Sequence, residues 1–78
     1  MPRYQKGDHV KFEVTHESSG EREWVWLLVD RSDDEQQVVF GQLDSEPVVI
    51  GDMKRGQRLA VSYRQVREHR KPADFQPG

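Results

Sequence analysis

The chain has 78 residues, no cysteine, 33% hydrophobic and 33% charged residues, and a formal net charge of −2 at pH 7. That length fits one domain burying only roughly 60% of its unfolded surface, which leaves little room for a deep active-site cavity. Absence of cysteine excludes disulfides, thiolate metal sites and a thiol nucleophile, and no segment nears the ~20 apolar residues that span a bilayer, so a soluble, cytoplasmic chain with no membrane partner is expected.

Lys6-Gly7-Asp8 is a turn signal, because Gly supplies positive φ and Asp bonds its own backbone. It leads into Val10, Phe12 and Val14 alternating with His9, Lys11 and Glu13, the pattern of a half-buried strand. Glu17 to Glu21 is polar, contains Gly20 and suits a hairpin loop. From Arg22 to Asp30 one face carries Trp24, Trp26 and Leu28 and the other Val25, Leu27 and Val29. Two apolar faces place such a strand centrally.

Arg31 to Glu35 has no apolar residue and reads as a solvated turn before a third strand, Val38 to Leu43, in which Gly41 marks a bulge or tight bend. Asp44 to Pro47 forms the next turn, and Val48-Val49-Ile50 is a short fourth strand closed by Gly51-Asp52, with Pro47 at its first position or on an edge. After Lys54-Arg55-Gly56-Gln57, a fifth strand sets Leu59, Val61 and Tyr63 on one face and Arg58, Ala60 and Ser62 on the other. Its start echoes Lys6 to Phe12, an echo of turn chemistry and not a repeat. Arg64 to Lys71 is expected to form one helical turn or a short 3-10 segment, ended by Pro72.

The expected fold is all-β: a small five-stranded antiparallel barrel or strongly bent sheet, SH3-like, with a short C-terminal helical turn. Residues 1–71 form the domain and 72–78 a flexible tail.

No residues assemble a recognisable catalytic, cofactor or metal site. His9, His16 and His69 lack ligand spacing, and Ser18, Ser19, Ser32, Ser45 and Ser62 lack a nucleophile context. Asp33-Asp34-Glu35 and Asp44/Glu46 lack the alternating spacing and distal Glu of a calcium loop and read as solvated acidic turns. Neither a dinucleotide-binding glycine motif nor a P-loop occurs. The chain is not expected to be an enzyme.

Charge is distributed unevenly. Residues 1–53 hold twelve Asp/Glu against five Lys/Arg, a balance of −7, and residues 54–78 hold seven Lys/Arg against two Asp/Glu, a balance of +5. Arg55, Arg58, Arg64, Arg67, Arg70 and Lys71 could line a groove that tracks phosphates, although Tyr63 is the one aromatic nearby. Of the two indoles, the alternation with Leu28 assigns Trp24 to the core; a small core has less room for Trp26, which is then an exposed anchor for a partner.

Glu21-Arg22-Glu23-Trp24-Val25, then Phe40 to Val48 with its Gly-x-Leu-x-x-x-Pro spacing, then Lys54 to Leu59, resemble an uncharacterised bacterial family, the YegJ-like domain of unknown function. The resemblance spans roughly residues 7–68. It implies a small bacterial protein or domain and no particular activity, and the chain departs from the pattern at Trp26, where a smaller or polar residue is more usual.

The function expected from the sequence is therefore a non-catalytic protein-interaction module, regulatory or toxin-neutralising, which holds a protein partner through Trp26, Arg55, Arg58, Arg64 and Arg67 and needs no cofactor. The alternative is a nucleic-acid-binding small barrel that uses Arg64, Arg67 and Arg70 of the basic end. A third possibility is self-association, with the acidic body of one copy meeting the basic end of another or edge strands pairing across a two-fold axis, and the chain is expected to be a monomer or weak homodimer.

Overall fold

Alternation along the first strand and β-branched runs along the next two dictate a sheet, and the computed structural model, which describes residues 3–45 and 53–74, contains one. Its strands are β1 (His9–Thr15), β2 (Arg22–Asp33), β3 (Val38–Leu43), β4 (Arg58–Ser62) and β5 (Glu68–Arg70), with 3-10 turns at Tyr63–Gln65 and Pro72–Asp74. The strand order is β4-β3-β2-β1-β5 and every pairing is antiparallel. The expected strand Val48–Ile50, with Pro47 and Gly51-Asp52, lies outside the described residues.

The all-β expectation holds, but among the described residues the sheet does not close into a barrel: β4 and β5 are its opposite edges and no ladder joins them. The sheet is nevertheless strongly bent. Flat, its edges would stand about 19 Å apart, four spacings of about 4.8 Å. Instead the buried Tyr4 ring meets both Tyr63, just after β4, with centroids 4.9 Å apart, and His69 of β5, at 4.7 Å.

The core lies on the face holding Val10, Phe12, Val25, Leu27, Val29, Val39, Leu43 and Val61, closed by Tyr4. This inverts the expected role of Trp24, which is 45% exposed on the opposite face. Both faces of β2 are apolar, so periodicity alone does not choose between them; volume does. Slim Val and Leu side chains of β2 share the core with Val10, Phe12 and Val39, whereas indoles at Trp24 and Trp26 would overfill so small a layer.

Three expected boundaries shift. β2 runs to Asp33, so Arg31 to Asp33 are strand and not turn: they pair with Phe40, Val39 and Val38. The Arg31 guanidinium covers the Phe40 ring at 4.1 Å, and Ser32 Oγ donates to the Tyr4 carbonyl at 2.6 Å. Of the helical turn or short 3-10 segment expected over Arg64–Lys71, a 3-10 turn forms at Tyr63–Gln65, and Glu68–Arg70 is instead the strand β5. Extended backbone wins there because the Arg67 amide donates to the Lys11 carbonyl at 2.7 Å, while His69 and Lys71 reach Asp8. The segment expected as a tail begins with the Pro72–Asp74 turn, and 75–78 lie outside the described residues.

The irregularity expected at Gly41 sits across from it. The β2–β3 register shifts between Val29 and Arg31, leaving Asp30 as the extra residue opposite the Gly41–Phe40 step. A Cβ on Gly41 would stand 2.1 Å from the Leu28 carbonyl oxygen, so only glycine lets β2 bend this closely over β3.

Candidate functional site

β5 covers β1 only from His9 to Lys11. Arg67 still donates its amide to Lys11, but no ladder joins Arg64 to Val66 with β1, and beside them lies a groove of about 470 Å³ lined by Glu13, Arg22, Trp24, Arg64, Gln65, Val66 and Arg67. Cross-strand placement builds its wall: Trp24 stands opposite Glu13 and Arg22 opposite Thr15 in the β1–β2 register. Lys11 Nζ lies 5.8 Å from the Trp24 ring centroid and 5.9 Å from that of Trp26, which holds the two indoles side by side along the outer face.

The groove therefore joins an exposed indole to three guanidinium groups and one carboxylate. Arg22 and Glu13 approach only to 3.9 Å, and both Arg64 and Arg67 are exposed. Such a surface attracts anions and offers a flat apolar contact. No described side chain in it is placed as a nucleophile with an adjacent base.

Of the residues expected to bind a partner, the structure gathers two, Arg64 and Arg67. Arg55 donates to Asp44 Oδ1 at 3.0 Å and Arg58 to Asp30 Oδ2 at 2.5 Å, so each neutralises a neighbouring loop or bulge carboxylate. Arg58 also borders a smaller cavity of about 210 Å³ with Phe40 and Leu59, on the β3–β4 side of the sheet. Trp26 is half-buried; its ring meets His9 edge-on with centroids 6.4 Å apart, and its amide donates to Ser45 Oγ at 2.9 Å. Arg70 pairs with Glu68 of its own strand at 3.7 Å, and Lys71 with Asp8.

Arg22 and Trp24 are the groove residues that sequence reasoning missed. Their signal was available: Glu21, just before β2, and Arg22 and Glu23, its first two residues, make the entry to the strand charged, so Trp24 sits near its wet end and Val25 is the first buried position.

The histidines and carboxylates brace the scaffold. His9 Nε2 donates to Asp44 Oδ2 at 2.7 Å and His69 Nε2 to Asp8 Oδ2 at 2.7 Å, while His16 Nδ1 faces Ser18 Oγ at 2.9 Å. Burial pushes the Asp8 carboxyl up, but hydrogen bonds from the Gln5 amide, His69 and Lys71 outweigh it and hold the group below its ordinary value. Asp44 is held low in the same way, burial being overcome by His9 and Arg55. The Tyr63 hydroxyl donates to Asp34, which lowers that carboxyl together with the Arg3 amide; burial and the same bond raise the Tyr63 phenol. Among the described residues no three His, Asp or Glu side chains converge to hold a metal ion.

No protein family, curated protein or solved structure matches the chain. Among the described residues no helix is long and apolar enough to cross a membrane.

Proposed function

We propose that this chain is a non-catalytic, SH3-like interaction module that takes an acidic segment of a partner protein into the groove beside Trp24. The observation that carries this reading is the exposed indole framed by Arg22, Arg64 and Arg67. Tryptophan and arginine supply most of the energy at protein interfaces, and three guanidiniums against one carboxylate favour an anionic partner. The strand order, with a 3-10 turn between β4 and β5, supports the SH3-like description.

A protein partner fits better than nucleic acid. A phosphate backbone needs a cationic track, yet Arg55, Arg58, Arg70 and Lys71 each sit against a carboxylate, which interrupts such a track along the basic end.

Fluorescence anisotropy with a labelled glutamate-rich peptide tests this. The triple variant Arg22→Glu, Arg64→Glu, Arg67→Glu is expected to weaken binding by roughly tenfold or more, and raised salt to weaken wild-type binding. Equal affinity in wild type and variant, or tighter binding of a single-stranded oligonucleotide at the same salt, contradicts it.

A further inference from the structure

We infer that the partner segment docks by strand addition, pairing its backbone with the open edge of β1 at Glu13 and Thr15. The inference rests on the proposed reading of the groove and adds the partner's conformation and register.

Hydrogen bonds at its two ends fix the orientation of β1. The His16 amide donates to the Glu21 carbonyl at 2.8 Å and the Val29 amide to the Asp8 carbonyl at 2.9 Å, so even-numbered positions turn their backbone groups toward β2. Antiparallel ladders alternate, so odd-numbered positions turn theirs the other way. Lys11 shows this directly, because its carbonyl accepts the Arg67 amide from the β5 side.

On that side β5 pairs with His9 to Lys11 and stops. Glu13, which lines the groove, and Thr15 beyond it therefore turn N–H and C=O groups away from β2 with no backbone partner among the described residues. Glu13 lines the groove together with Arg64 to Arg67, the segment that leads into β5.

An extended segment in that position would gain main-chain hydrogen bonds from β1, and its side chains would alternate between the two faces of the sheet. One set would lie on the outer face with Trp24 and Arg22. The segment that fits is extended and rich in Asp or Glu, with apolar residues at alternate positions. Such pairing also occupies a stretch of bare edge, a surface that natural sheets usually protect.

Two N-methylated forms of a short peptide of alternating Glu and Val, one methylated at every Val and one at every Glu, separate backbone pairing from charge attraction. An added strand pairs along one edge, so one methylated form should lose roughly tenfold or more in affinity while the other keeps it. The unmodified peptide should also slow amide exchange at Glu13 and Thr15. Retained affinity in both forms, or equal loss in both, overturns strand addition and leaves the charge-based reading standing. Failure of the unmodified peptide to bind overturns the reading of the groove itself.

Discussion

Asp8, in the turn before β1, accepts a 2.7 Å hydrogen bond from His69 on β5, and the two residues are 61 positions apart in sequence. The carboxylate is 2% exposed and also receives the Lys71 ammonium at 3.1 Å and the Gln5 amide at 3.1 Å. One buried anion thus ties the start of the sheet to its short edge strand.

Acid should loosen this tie. A carboxyl held below its ordinary value in the fold stabilises the protein above the unfolded value of about 4 and loses that contribution as pH falls through the folded value. Asp44 acts in the same direction. Thermal unfolding followed from neutral pH down to acid should show a falling midpoint below about pH 4. Asp8→Asn should cost about 2 kcal/mol at neutral pH, the range for hydrogen bonds lost from a buried charged group, and make the acid slope shallower. A slope as steep as that of wild type contradicts the role given to Asp8.

At Gly41 a Cβ would collide with the Leu28 carbonyl at 2.1 Å, a backbone atom that no rotamer change can move. Gly41→Ala should therefore cost about 3 kcal/mol in chemical denaturation, at the upper end of overpacking effects. A loss of only a few tenths would mean that the bulge at Asp30 yields freely.

The inverted faces of β2 make opposite predictions for adjacent aromatic and aliphatic positions. Trp24→Ala should change stability by less than about 1 kcal/mol, because the side chain is nearly half exposed and lies outside the core. Leu27→Ala, at 0% exposure, should cost about 3 kcal/mol or more. Denaturation of both variants checks the assignment, and a larger loss from Trp24→Ala contradicts it.

β3 was legible as an apolar run bounded by turn residues, and alternation located β1 and β4, which each have one more apolar face, as in Val10, Phe12 and Val14. It failed to orient β2, where both faces are apolar and the choice depends on how much volume the whole sheet encloses. β5 was invisible for a different reason. Glu68-His69-Arg70 has no strand propensity, and its conformation comes from long-range partners, Asp8 and the Lys11 carbonyl. The groove inherited both difficulties: it needs Trp24 on the outer face and a break in the β1–β5 pairing, and neither is a local property of the sequence. Arg64 and Arg67 were legible as part of the basic end, whereas the carboxylates that neutralise Arg55 and Arg58 are distant in sequence, at Asp44 and Asp30.

The most direct measurement is a two-dimensional amide and indole NMR titration of the intact chain with an acidic peptide. Chemical-shift changes at the Trp24 indole and at Glu13, Arg22 and Arg64 to Arg67 are predicted. Changes centred instead on Phe40, Arg55 and Arg58, with the Trp24 indole unmoved, would contradict the placement of the partner in this groove.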